Sequence, residues 1–190
     1  DALRLGEYLQ LAVMHAGGVG HFEQTWDYLR RARAVARQTG DAVLSCQLFR
    51  LEAGLQLFMG DYHACLETNL EGVAQARQHG LAELEIVMLH NAGDALLHMD
   101  SLHRAMYYFS ESMRRSQTAR FDRLAAANEM YLGFLETIHL GSPRGLRRLR
   151  RAIAAEQQVG RIWNLNQGHL LLGRALLARG EREQALRHLE

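Results

Sequence analysis

Apolar residues recur three and four positions apart along segments of about 18 residues, the spacing of one helical face. Leu48, Leu51, Leu55 and Phe58 form one such stripe, and Leu66, Leu70 and Val73 begin another. Glycine interrupts the stripes on a steady beat at Gly20, Gly40, Gly60, Gly80, Gly160 and Gly180, with Gly141 one step late. The pattern predicts ten helix segments, each about 27 Å long when complete, with turns near 20, 40, 60, 80, 100, 120, 141, 160 and 180. No sustained period-two alternation and no Asn-Gly hairpin signal occurs, so strands are not expected. The only proline, Pro143, follows Ser142, which reads as an N-cap followed by the first helical position. Asp41 and Asp122 stand where two other helices need N-caps.

A longer period of 40 residues lies over this beat. Stepping by 40 gives the column Val13, Ala53, Gly93, Gly133 and Gly173, and a second column Thr25, Cys65, Ala105, Gly145 and Ala185. A third is Ala32, Gly72, Ser112 and Ala152. Of these residues only Val13 is not small. A fourth column, Trp26, Leu66, Met106, Leu146 and Leu186, is apolar throughout. Two antiparallel helices joined by a short turn approach closely only where side chains are small, because a large residue at the crossing overpacks it. The columns therefore mark where a first helix A and a second helix B of each repeat meet.

Small residues in the middle of helix A and twice along helix B resemble the signature of the tetratricopeptide repeat (TPR) family. The resemblance covers nearly the whole chain and is strongest around Gly93, Ala105 and Phe109 and around Gly173, Ala185 and Leu189. Here the repeat is 40 residues rather than 34, and the family's Trp in helix A and Pro at the end of helix B are missing. HEAT and armadillo repeats also run near 40, but their prolines and characteristic Asp and Arg are absent. Repeats of this length resemble those of kinesin light chains and the repeat arms of large bacterial signalling ATPases and transcription activators. The resemblance implies an all-α, right-handed α-solenoid of antiparallel helix pairs, a TPR-like superhelix. Repeats fall at 1–40, 41–80, 81–120 and 121–160, with a truncated one at 161–190. They form one domain, read as a fragment of a larger protein.

Composition narrows the function. A chain of 190 residues, 48% hydrophobic and 23% charged, can bury a core, and no stretch approaches a membrane span. Cys46 and Cys65 are too few for a disulfide framework or a four-ligand zinc site, which suits a reducing, cytoplasmic setting. Net charge is +1, so no global field steers the chain to nucleic acid. All basic residues are Arg. Arg can select anions bidentately, although a GC-rich genome accounts for the bias as well.

Catalytic signals are absent. There is no Gly-x-Ser-x-Gly elbow, and the Gly17-Gly18-Val19-Gly20 run has neither the spacing nor the strand of a phosphate loop. One Glu-x-x-His, Glu136 to His139, lacks the further ligands of a di-iron bundle. His90, Asp94 and His98 share one helix face, but the two histidines stand about 12 Å apart by helical rise, so a polar patch is expected rather than a metal site. The expectation is no enzyme, no metal and no cofactor.

In the TPR family helix A lines a concave face that holds an extended peptide or a partner helix. Carrying that register across gives the partner-binding residues Gln47, Arg50, His90, Asp94, His98, Met130, Phe134, Gln167 and Arg174. The layers also take in Met14, Gly54, Leu97, Thr137 and Leu177. An apolar side chain of the partner is expected against Met130 and Phe134. The alternative is a nucleic-acid-binding solenoid using Arg144, Arg147, Arg148, Arg150 and Arg151 on a convex helix B; no aromatic residue interleaves there, and a solvated outer face is the simpler reading. Leu176 and Leu186 are expected to be exposed at the last pair, with self-association through the solenoid ends.

Overall fold

The computed structural model describes the backbone of residues 2–189 and, within it, all side chains but those of Ala2, Leu3, Ala16 and Trp163. The described residues form ten helices and no strand. They are α1 (Ala2–Gly18), α2 (Phe22–Thr39), α3 (Ala42–Phe58), α4 (Tyr62–Gln78), α5 (Ala82–His98), α6 (Leu102–Thr118), α7 (Asp122–Ile138), α8 (Pro143–Val159), α9 (Ile162–Ala178) and α10 (Arg182–Leu189). None of these helices is long and apolar enough to cross a membrane.

The first nine helices stop at the turns that the spacing predicts. Gly20, Gly40, Gly60, Gly80, Gly141, Gly160 and Gly180 all take positive φ. At the two turns without glycine, Asp100 and Arg120 adopt φ of 56° and 55°, a conformation that costs an L-residue about 1–2 kcal/mol. The next amide then reaches back to the helix end, as in Asp61 N–H to Gln56 O at 2.9 Å and Phe121 N–H to Ser116 O at 2.8 Å. Asp41 caps α3 through the Leu44 amide, and Ser142 caps α8 with Pro143 at its start. Asp122 is not an N-cap. Phe121 holds that position without a side-chain bond, and Asp122 is the first helical residue of α7, where its charge favours the dipole.

The chain divides into two compact units, Asp1–Asp100 and Ser101–Glu190. In the first, α1 pairs with α2, α3 pairs with α4, α2 packs on α3 and α4 packs on α5. Leu9, Val13, Leu29, Ala32, Val35, Ala36, Leu44 and Leu48 form its first core cluster, with Trp26 half-buried against it. The small column fits here: a Cβ on Gly72 would stand 2.3 Å from the Met88 sulfur and 2.9 Å from the Phe49 Cβ. Arg33 of α2 pairs with Glu52 of α3 and lies 5.0 Å from the Phe49 ring. Arg77 of α4 pairs with the buried Glu85 of α5 at 2.7 Å. Long Arg stems can cover apolar surface while the head finds a carboxylate, which is why helical phase alone mislocates them.

In the second unit α6 packs on α7, α7 pairs with α8, α8 packs on α9 and α9 pairs with α10. The α7–α8 crossing is glycine against glycine, Gly133 facing Gly145. Gly173 is filled by Leu189, whose Cδ2 lies 2.6 Å from where a Cβ would be. Leu149, Leu171, Leu176 and Phe109 are fully buried, each worth about 1.5–3 kcal/mol relative to exposure. Leu176, expected at an exposed end, is 0% exposed, on a helix that packs against α7, α8 and α10. Leu186 is 55% exposed as expected. Where the other repeats place apolar contacts, Asn128 donates to Ser112 Oγ at 2.8 Å, both fully buried.

Candidate interaction surface

Packing between successive repeats is one-sided in each unit. In the first, α1 touches α3 and α3 touches α5, while the α2 and α4 backbones stay apart. In the second, α7 touches α9, while α6, α8 and α10 stay apart at the backbone, with only long side chains reaching between them, such as Arg150 to Gln184 at 3.3 Å. The A helices are therefore the closely spaced layer of each unit, and the B helices splay.

On the A layer of the first unit, Gln47, Arg50, His90 and Asp94 are half-buried and His98 is exposed. Asp94 and His98 approach to 4.0 Å, and the His98 ring stacks on Tyr62 at 4.7 Å between centroids. Tyr62 opens helix α4, so the register of helix A alone does not reveal it. Arg50 lines a half-open cavity of about 350 Å³ together with Met14 and Gly54. Phe22, Phe58 and Asn91 also line it; Phe58 belongs to the apolar stripe of α3, yet it closes the helix and is 76% exposed.

On the A layer of the second unit the expectation changes. Met130 and Phe134 are each 1% exposed, so neither offers an apolar surface to a partner. Met130 is covered at Gly168, whose missing Cβ would lie 2.9 Å from its sulfur. Phe134 is covered by Arg174, whose guanidinium carbon lies 5.0 Å from the ring centroid, a cation–π arrangement. Arg174 itself is exposed. Gln167 donates to the Tyr131 hydroxyl at 2.6 Å. Thr137 turns inward to the Gly133 carbonyl, and Leu97 of the first unit is also buried, whereas Leu177 is 46% exposed.

The Arg-rich face of α8 is not uniform. Arg144, Arg147, Arg150 and Arg151 are exposed, whereas Arg148 is half-buried. Arg148 donates to Glu129 at 2.8 Å and to Glu136, both on α7, and its other nitrogen contact is the Met113 sulfur at 3.6 Å. Burial works against its charge, and the two glutamates outweigh burial, so its pKa lies above the ordinary arginine value.

Nucleophilic and metal chemistry gain nothing. Both cysteines are free and buried. Burial first, and then the Asp94 charge, push the Cys65 thiol up to about 11 against the Asn69 hydrogen bond. His169 and His188 bring their Nδ1 atoms to 3.1 Å, a pairing the sequence did not signal. Burial, followed by His169, Arg150 and Arg187, holds His188 below its ordinary pKa. Among the described residues no three His, Cys, Asp or Glu side chains are placed to hold a metal ion.

No protein-family model and no curated protein matches the sequence. Solved structures do match. Aspartyl phosphate phosphatase F from Bacillus subtilis aligns at a TM-score of 0.83 and 12% identity, over 100% of this chain and 59% of that one. A signal transduction ATPase with numerous domains and a tetratricopeptide repeat sensor, from Pyrococcus horikoshii, aligns at 0.79 and 14% identity, over 98% of this chain and 30% of that one. BtubC from P. vanneervenii aligns at 0.78 and 22% identity, over 99% of this chain and 79% of that one. The chain thus spans about a third to four-fifths of these proteins. It has the TPR-like helical-repeat fold, of the all-α solenoid class.

Proposed function

We propose that the chain is a protein-interaction scaffold that holds a peptide or partner helix against its A helices, as the repeat arm of a larger bacterial signalling or transcription regulator. The observation that carries this reading is the one-sided packing: α1, α3 and α5 in one unit and α7 and α9 in the other stand side by side, while the B helices splay. A closely spaced helix layer that still carries exposed His98 and Arg174 and half-buried Gln47, Arg50, Asp94 and Gln167 has polar groups to fix the register of an extended partner. Interface energy concentrates in a few Arg and aromatic anchors, and Arg174 stacked over Phe134 is one such anchor with its position already set. The regulator context is supported by likeness to the signal transduction ATPase with a repeat sensor.

The test is photo-crosslinking in lysate of the source cell, with a crosslinking side chain placed at His98 or Leu177 on the A side, or at Arg147 or Arg151 on α8. Partner adducts from the first two positions support the reading. Adducts confined to the α8 positions would replace it with the outer basic face.

A further inference from the structure

His169 of α9 and His188 of α10 meet Nδ1 to Nδ1 at 3.1 Å, with their rings 18° from parallel and the centroids 5.2 Å apart. A hydrogen bond between two Nδ1 atoms needs one ring to donate its N–H and the other to accept through a bare lone pair. An imidazolium has no bare lone pair, because both its nitrogens carry protons. The contact therefore holds with both rings neutral or with one charged, and is lost when both are charged. Charging both also sets two like charges against each other.

The surroundings do nothing to accommodate a second charge. The recess around the pair is lined by Asn166, Leu170, Arg187 and Leu189, with no acid among the described lining residues. Burial comes first in disfavouring a charged His188, and then His169, Arg150 of α8 and Arg187 of its own helix. No group of α7, which also packs on α9, is among those causes. His188 thus lies below its ordinary value near 6.5 while α10 is docked. A lowered histidine favours the docked state above that ordinary value, and the benefit is lost as pH falls through the lowered one. Other anchors of α10 are few. Within the second unit it packs on α9 alone. Ala185 is its one buried residue among those described, Leu189 rests at Gly173, and Gln184 accepts from Arg150. We propose that the His169–His188 contact is an acid-sensitive latch: protonation of both rings releases α10 from α9 and bares the side of α9 at Gly173 on which Leu189 rests. The latch does not depend on what the A helices hold.

The experiment is native-state hydrogen exchange of the full chain at pH 7.5 and pH 5, corrected for the intrinsic rates and read on the amides of α10 with those of α8 as the internal reference. Protection of α10 relative to α8 should fall about tenfold or more at pH 5, the scale of one lost hydrogen bond with added like-charge repulsion. Two variants should show no such fall. His169→Phe with His188→Phe keeps stacked rings but takes up no proton. His188→Gln can donate or accept, so it bonds the His169 ring in either charge state. Arg187→Gln should make the fall smaller. The proposal is overturned if wild-type protection of α10 relative to α8 is the same at both pH values, or if either variant, docked at pH 7.5, loses it on acidification as the wild type does.

Discussion

Gly133 and Gly145 face each other across α7 and α8 so closely that a Cβ on Gly145 would stand 2.7 Å from the Gly133 carbonyl oxygen. A Cβ on Gly133 would stand 2.7 Å from the Leu149 nitrogen. Backbone cannot rotate away as a side chain can, so even alanine must push the helices apart. Gly133→Ala and Gly145→Ala should each lower unfolding free energy by about 1–3 kcal/mol. Gly54→Ala, in open space, should raise it by about 0.5–1 kcal/mol. Denaturant midpoints of the three variants check the signs.

Arg148 holds Glu129 and Glu136 together on α7. Removing it leaves two half-exposed carboxylates without their shared cation. Arg148→Leu should cost about 1–2 kcal/mol, between the values for exposed and buried pairs, whereas Arg147→Leu should change stability by less than about 0.5 kcal/mol. Thermal melts at low and high salt separate the two, the Arg148 loss persisting in salt more than a surface pair would.

Phe134 and Arg174 should differ sharply in what each contributes to stability. Phe134→Ala opens a cavity in the second unit's core and should cost about 3–5 kcal/mol. Arg174→Ala removes an exposed cation over the ring and should cost about 0.5–1 kcal/mol. Chemical unfolding of each variant tests this ordering, and a partner-binding defect can be read cleanly only in the second.

The turns, and the pairings of α1 with α2, α3 with α4, α7 with α8 and α9 with α10, were legible because they obey a strict lattice. Spacing alone located turns at Asp100 and Arg120, where no glycine marks them and the residues take the left-handed conformation regardless. The small columns were legible for the same reason, since each marks a close approach, of backbone at Gly133 and Gly145 and of a side chain at Gly72 and Gly173. What the lattice does not encode is how far one A helix covers the next. Met130 and Phe134 share a groove register with Arg50 and Asp94, yet the α7–α9 contact encloses them. Arg148 was placed outward by helical phase, but a long side chain reaches a neighbouring helix from the edge of that face. The cavity at Gly54 was half legible: Arg50, Met14 and Gly54 follow the register, whereas Phe22 and Asn91 come from helix positions outside it.

Glu111 supplies a pH dependence. Its hydrogen bond from Arg114, ahead of that from Arg115, lowers its pKa to about 2 against burial. A carboxylate lowered in the folded state contributes stability above its unfolded value, near 4.5, and loses it as pH falls toward 2. Glu111→Gln should therefore destabilise at pH 6, by less than about 1 kcal/mol because the partners are solvent-facing, and the difference from wild type should vanish near pH 2. Paired urea titrations at the two pH values measure it.

A partner held on the A helices would depend on the exposed residues of that layer. The direct measurement is retention of the partners captured from source-cell lysate by two double variants, His98→Ala with Arg174→Ala on the A side and Arg147→Ala with Arg151→Ala on α8. Both pairs are exposed, so both variants should remain folded, the A-side one destabilised by no more than about 1 kcal/mol through the lost Arg174–Phe134 contact, which melting curves verify. The A-side variant should lose most retention, at a cost of about 1–3 kcal/mol, while the α8 variant should keep it. Full retention by the A-side variant together with loss in the α8 variant would contradict it and move the binding surface to the splayed helices.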